Sequence, residues 1–185
     1  MQNVEYKAEL REPRLARAGL LAAGCRFVAR MRQVDTYFRV ASGRFKRREI
    51  EVLELAPEVE REDVAPRATE WILYERPDAA AARVSNYQIY SEEQARDRFG
   101  DLRLPELVAV TKERELLLYE KLVRVHLDEV DRLGSFLEFE ALVTETQDRA
   151  LAAERVERLR EAVRPWLGEA IGGSYADLML AEQER

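Results

Sequence analysis

The sequence predicts an α+β fold: about eight antiparallel strands with a few helices packed outside them. Three observations lead there. Short segments in which apolar and polar residues alternate with period two recur along the chain. Three stretches with helix start signals interrupt them. The connections are short, which suits antiparallel neighbours. No repeat, low-complexity tract or Ser/Gly linker divides the sequence, so residues 1–185 are read as one domain.

Taken in order, the first strand runs from Val4 to Leu10. The first helix follows Pro13, where a first-turn proline is tolerated, and stops near Gly24. Strands are expected at Gln33 to Val40, Arg44 to Leu53, Thr69 to Glu75 and Arg83 to Tyr90, with Gly43 and Pro77-Asp78 as punctuation. The second helix opens on "SEEQ", a capping box from Ser91 to Gln94, and ends at Gly100. Leu107 to Leu118, Leu122 to Leu127 and Phe136 to Thr144 form the last strands, with Gly134 at the turn before the third of these. The third helix spans about Gln147 to Trp166, where Leu151, Val156, Leu159, Val163 and Trp166 make one apolar stripe for a core.

Composition narrows the function classes. With 46% hydrophobic and 36% charged residues, a salt-laced globule is expected and disorder is not. A net charge of −6 argues against bulk binding to nucleic acid or an anionic membrane, so any cationic site is local. The single Cys25 rules out an internal disulfide and reads as a small core residue. No CxxC pair or Cys/His cluster suggests structural zinc. The opening "MQNVEYKAEL" lacks an apolar signal region, and no run approaches the roughly 20 apolar residues of a membrane span, so a cytoplasmic location is the expectation.

The strands carry their charges in an unusual way. Glu138 and Glu140 share one face of "SFLEFEALV", while Leu137, Phe139 and Ala141 take the other. Two carboxylates about 7 Å apart repel by roughly 2 kcal/mol at an effective dielectric near 20. Glu5 and Lys7 likewise share a face opposite Val4, Tyr6 and Ala8. Lys46 pairs in parity with Arg48, and Lys112 with Arg114; Arg76 falls in line with Ile72 and Tyr74. Arg124, His126 and Asp128 oppose Val123, Val125 and Leu127. One explanation is the wet face of an open antiparallel sheet. Another is a sheet rolled into a barrel, its charged faces turned to the lumen and its apolar faces against outer helices.

The near absence of Thr, Ser, Gln and Asn at these positions favours the barrel. Its lumen then holds about seven cations, Lys7, Lys46, Arg48, Arg76, Lys112, Arg114 and Arg124, beside the acids Glu5, Asp128, Glu138 and Glu140. Unneutralised cations in a confined cavity are costly, so a polyanion is the natural occupant. Arg offers forked donors that match phosphate oxygens, and Lys offers point charges. Carboxylates suit Mg²⁺ or Mn²⁺ rather than phosphate. Cations for phosphate beside acids for metal make up a phosphoryl-transfer site, with the glutamates flanking a divalent ion.

At these residues the chain resembles the CYTH superfamily of triphosphate-tunnel enzymes, in its class IV adenylate cyclase-like branch. "NVEYK" resembles the family's opening Glu-x-Glu-x-Lys strand, and "QVDTYF" with "SGRFKRRE" the paired basic strand. "WILYERPD", "RVSNYQIY", "VTKERELLLYE", "VRVHLDEVDRLGSFLEFE" and "GGSYADLML" follow in family order. The resemblance implies an eight-stranded antiparallel β-barrel, a triphosphate tunnel, with helices outside. It also implies triphosphate held by the seven cations and Mg²⁺ or Mn²⁺ held by Glu5, Asp128, Glu138 and Glu140. Glu5, Lys7, Glu138 and Glu140 take the catalytic positions. Family members are often dimers, so a homodimer is an expectation. One departure is Asn3, where the family has its first Glu: it keeps a carbonyl oxygen, but one metal-directed charge is missing. Arg47, at a position where the family is often apolar, is expected to face outward.

The same constellation serves attack on the α-phosphorus by a ribose hydroxyl, as in a cyclase making cyclic AMP and pyrophosphate from ATP, or attack on the terminal phosphorus by water, as in a triphosphatase. A non-catalytic triphosphate-binding module is a third reading, motivated by Asn3. His126, the lone histidine, reads as structural or solvated. Trp71 and Trp166 read as packing anchors. Ser85 and Tyr87 fit either a nucleotide contact or a strand surface.

Overall fold

Side chains of a strand alternate between two sides, and here that alternation closes a sheet on itself. The computed structural model describes residues 1–59, 66–75, 80–101 and 103–183. Its elements are β1 (Gln2–Leu10), α1 (Pro13–Ala22), β2 (Arg26–Phe38), β3 (Arg44–Leu55), β4 (Arg67–Glu75), β5 (Arg83–Tyr90), α2 (Glu92–Phe99), β6 (Glu106–Tyr119), β7 (Val123–Val130), β8 (Gly134–Leu142), α3 (Arg149–Val163), a 3₁₀ turn (Arg164–Trp166), β9 (Leu167–Ala170) and α4 (Tyr175–Gln183). The strand order is β5-β4-β3-β2-β6-β7-β8-β1-β9, every pair antiparallel, and β1 also pairs with β5. Eight strands therefore form a closed barrel, as expected. The short β9 continues the β1 edge where β5 leaves it, pairing Ala8 with Ala170 and Leu10 with Leu167.

Parity decides which side each residue takes. Val4, Tyr6 and Ala8 face outward into a core with Val123, Val125, Leu137 and Phe139, covered by Ala16 and Leu20 of α1 and by Val156, Leu159 and Val163 of α3. Fully burying one such Leu or Val contributes about 1.5–3 kcal/mol. Pro13 starts α1, and Gly19 lets it close on the third helix's end: a Cβ there meets Trp166 Cζ3 at 2.6 Å. Trp71 stacks with Phe38 and Phe45 under α2, whose Ser91–Gln94 capping box forms as expected. Gly134 opens β8 at φ 95°, the left-handed region that favours glycine.

Three features depart from the expected elements. β2 begins at Arg26 rather than Gln33, because its first turn of ladder pairs with β6 and β3 without a clean apolar alternation. β9 is too short to show a period. α4 is apolar almost all round and carries no stripe; Ser174 and Asp177 cap its start reciprocally, with Asp177 N–H donating to Ser174 Oγ at 3.2 Å and Ser174 N–H to Asp177 Oδ2 at 2.7 Å. Tyr175, Ala176 and Met179 of α4 pack on Tyr37, Val108, Val110, Val130 and Phe136, all of inward parity. The helix thus lies across one end of the barrel and shuts it. Pro77-Asp78 lies outside the described residues.

Candidate functional site

The inward-facing side chains line a cavity of about 360 Å³. Into it β1 delivers Asn3, Glu5 and Lys7; β3 delivers Lys46 and Arg48; β6 delivers Lys112 and Arg114; β7 delivers Arg124 and His126; β8 delivers Glu138 and Glu140. Nine of the residues singled out from sequence meet there: Glu5, Lys7, Lys46, Arg48, Lys112, Arg114, Arg124, Glu138 and Glu140. Arg76 lies outside the described residues. Arg47 faces outward and pairs with Glu49 at 3.3 Å. Moving away from α4, the lining turns from Tyr37, Lys46 and Lys112 to Met31, Ile50, Ile89 and Leu116, so the open mouth carries apolar side chains beside the charged Arg124, Glu140 and Glu70.

Buried cations need partners, and each has one. Asp35, 1% exposed, accepts from Lys46 at 2.8 Å and from both Arg48 nitrogens at 2.7 and 2.8 Å, with Lys112 at 3.6 Å. Asp128 takes a two-pronged contact from Arg114 at 2.6 Å on each oxygen, and the Tyr175 hydroxyl donates to it at 2.9 Å. Both of its oxygens thus accept from protein donors in this structure. Glu138 receives Lys7 and Arg114, each at 3.1 Å, and Arg83 holds Glu5 at 3.1 Å. Arg124 reaches Glu140 at 3.7 Å. The Lys7 ammonium also sits 4.0 Å from the centre of the Tyr175 ring, a cation–π contact that ties α4 to the lumen.

These neighbours reset the acid–base behaviour. Burial alone would raise Asp35, but Arg48, Lys46 and Lys112 outweigh it and hold the carboxyl well below its usual range. Glu138 follows the same pattern: burial is overcome by Lys7, His126 and Arg114. Burial, aided by Arg114, pulls Lys112 down to about 7; burial and Arg48 pull Lys46 down to about 8. Burial and Arg114 also lower His126, so its imidazole is neutral near pH 7. The Tyr175 hydroxyl is pushed well up by burial and by Asp128 and Glu138, and remains a donor.

Sequence reasoning missed Asp35, Arg83 and Tyr175. Asp35 has the inward parity of Gln33 and Tyr37 in "QVDTYF", a signal that a single acid between neutral residues does not announce. Arg83 begins its strand and carries no charged neighbour of like parity. Tyr175 sits in a helix with no sequence stripe. His126, expected to be structural or solvated, is 4% exposed and places Nδ1 at 3.3 Å from Glu138 and 3.9 Å from Glu140. These three residues bring donor atoms within 4.8 Å of one another, a mixed nitrogen and oxygen set that fits a divalent cation. No helix among the described residues is long and apolar enough to cross a membrane.

Known structures share this architecture. The PH1819 protein of Pyrococcus horikoshii OT3 superposes with a TM-score of 0.65 at 22% identity, covering 97% of this chain and 99% of that one. HpAC1 of Hippeastrum, described as a candidate adenylyl cyclase with a dominant triphosphatase activity, gives 0.58 at 17% identity over 97% and 96%. The Pct1 RNA triphosphatase of Schizosaccharomyces pombe gives 0.54 at 13% over 94% and 86%. At these identities the likeness carries the fold alone. No curated protein sequence matches the chain significantly. The family model described as the CYTH domain matches residues 1–165. With that match over most of its length and the closed eight-stranded tunnel beneath it, the chain belongs to the CYTH domain family.

Proposed function

We propose that the protein is a divalent-metal-dependent enzyme that takes a triphosphate into this barrel and acts on it in the manner of a class IV adenylate cyclase. One observation carries the reading: six cations, Lys7, Lys46, Arg48, Lys112, Arg114 and Arg124, converge on a cavity shut at one end by α4 and edged in part by Met31, Ile50, Ile89 and Leu116 at the other. A charged depth suits a polyphosphate chain, and the apolar side chains at the mouth suit an organic group attached to it. ATP is the first substrate to test.

The roles follow from position. Arg114 and Arg48 are held flat by Asp128 and Asp35, so their remaining donors are fixed before a phosphate arrives, which is the preorganisation that electrostatic catalysis needs. Lys46 and Lys112, depressed by burial, regain full charge when a polyanion enters. Glu138 and Glu140 would hold Mg²⁺ or Mn²⁺; when bound, that ion supplies further neutralisation of phosphate charge. In the cyclase reaction the ribose 3′-hydroxyl oxygen bonds to the α-phosphorus and gives up its proton to solvent, the bond to the β-phosphate oxygen breaks, and pyrophosphate leaves with its charge spread over the lumenal cations. Little side-chain nucleophilicity is required.

A triphosphatase is the second reading. Lys7, Lys112 and Tyr175 at the closed end favour it, because a terminal phosphate lodged there is best placed for water attack. The dominant triphosphatase activity of the Hippeastrum protein points the same way. Incubation with ATP and Mn²⁺ separates the two. Cyclic AMP with pyrophosphate supports the first reading, and inorganic phosphate without cyclic nucleotide supports the second. Tight nucleotide binding with no product under any divalent ion would leave a binding module, and Asn3→Glu then tests whether the missing carboxylate is the cause.

A further inference from the structure

We infer that the divalent ion is bound by His126 together with Glu138 and Glu140, and that the imidazole makes the site prefer Mn²⁺ and later transition metals to Mg²⁺. The inference rests on the triphosphate-tunnel reading above and adds a ligand and a metal preference to it.

Two of the acids expected to hold metal are already occupied. Glu5 Oε1 lies 3.1 Å from Arg83, and both side chains are buried, at 6% and 2% exposed. Arg83 is anchored in turn by donating to the Ile171 carbonyl at 3.2 Å. Asp128 has an Arg114 nitrogen 2.6 Å from each oxygen and Tyr175 besides. Placing a dication on either acid means breaking a close contact between that acid and a buried guanidinium, which is unfavourable. Asn3 removes another charge from the same strand.

On the neighbouring β7–β8 ladder Glu138 is paired too, with Lys7 at 3.1 Å on one oxygen and Arg114 at 3.1 Å on the other. When Glu138 turns to an ion, however, Arg114 keeps both Asp128 oxygens and Lys7 keeps the Tyr175 ring. His126 pairs across the ladder with Glu138, and Arg124 with Glu140, so the histidine and both glutamates sit on adjacent strands with the same parity. Their donor atoms fall within 4.8 Å of one another around a space that a dication at roughly 2.0–2.2 Å from each ligand fills after small side-chain rotations. What now joins His126 to Glu138 is a single contact at 3.3 Å through Nδ1; in the tautomer with its one proton on Nε2, the Nδ1 lone pair is available to an ion. Glu140 is the looser partner, 20% exposed and 3.7 Å from Arg124. A second observation points to a ligand in this chamber. Asn3 Oδ1 lines it, the residue is 3% exposed, and that oxygen has no hydrogen-bond partner among the described residues. Asn3 lies two residues along β1 from Glu5, which stands directly opposite Glu140. It is an acceptor suited to water on the ion. Carboxylate oxygens alone serve Mg²⁺ well, whereas an imidazole nitrogen shifts a site toward Mn²⁺, Co²⁺ and Zn²⁺.

The chain contains one histidine, so in tag-free protein an imidazole nitrogen on the metal has a single source. Pulsed electron paramagnetic resonance on the Mn²⁺-loaded protein should show a directly bound ¹⁴N. His126→Gln should abolish that coupling and weaken Mn²⁺ binding at least about tenfold, while Mg²⁺ binding changes less than about threefold. Native protein with bound Mn²⁺ and no nitrogen coupling overturns the inference whether or not the variant folds. So does a variant that keeps Mn²⁺ affinity to within tenfold, or one whose Mg²⁺ affinity falls as far as its Mn²⁺ affinity. Calorimetry with metal-free tripolyphosphate separates the two levels. If tripolyphosphate binds but no nitrogen reaches the ion, the histidine assignment alone fails; if tripolyphosphate does not bind, the tunnel reading fails.

Discussion

Removing Asp35 tests whether the lumen is an ion cage built around internal counter-charges. In Asp35→Ala the three cations it serves, Lys46 at 2.8 Å, Arg48 at 2.7 and 2.8 Å and Lys112 at 3.6 Å, are left around an empty point in the barrel wall. Deleting one partner of a buried pair costs about 3–5 kcal/mol, and here the lost partner is 1% exposed. For a chain of 185 residues each kcal/mol moves Tm by about 2–4 °C, so the melting point should fall by roughly 6–20 °C. Tripolyphosphate should then rescue the variant more than it stabilises native protein at equal concentration. The freed Lys46 and Arg48 donors bind phosphate in place of the carboxylate, and a ligand at a hundred times its Kd returns about 2.7 kcal/mol. Thermal melts with and without tripolyphosphate measure both effects. A variant melting within about 2 °C of native refutes the cage; rescue no larger than the native shift means that these cations do not meet the ligand.

Other outcomes follow from the same geometry. Arg114→Ala should weaken tripolyphosphate binding by roughly 2 kcal/mol or more in calorimetry, and unchanged affinity would mean that its guanidinium does not meet phosphate. Lys112 near 7 and Lys46 near 8 lie below the roughly 10.4 of an unfolded lysine, so the unfolded chain binds more protons between these values. Their burial penalty is therefore present at neutral pH and fades as pH rises, and melts of the ligand-free protein should show these two groups adding stability from pH 7 to 9. Triphosphate binding should take up protons at pH 8 and weaken above it, which calorimetry in buffers of different ionisation heat detects. Gly19→Ala drives a methyl to 2.6 Å from Trp166 and should cost about 1–3 kcal/mol in urea unfolding without altering tripolyphosphate affinity.

Strand parity was legible in the sequence because charges and apolar residues alternate without interruption. Asn3, Glu5 and Lys7 against Val4, Tyr6 and Ala8 could be sorted by counting in twos, and the same count placed Lys112 with Arg114 and Glu138 with Glu140 inside the barrel. Pairing across strands was not legible, since no local pattern says which acid faces which base. Asp128 is the instance: its parity was right, yet Arg114 directly across the β6–β7 ladder and Tyr175 from α4 claim its oxygens. His126 is the converse. A lone histidine carries no motif, and only the β7–β8 register sets it beside Glu138. Tyr175 stayed hidden because α4 plugs the barrel end, a place that rewards apolar contact on every side instead of one stripe.

The position of β1 in the chain also governs how the protein is made. Its ladder partners are residues 83–86 of β5, 136–142 of β8 and 167–170 of β9. β1 therefore meets no ladder partner before residue 83 and its longest ladder only at residues 136–142, so the barrel is not closed there until β8 is in place. Contacts of such long sequence separation are slow to form. Ring closure at β1 is thus a late event in folding, and a deletion within this strand strikes the seam of the barrel.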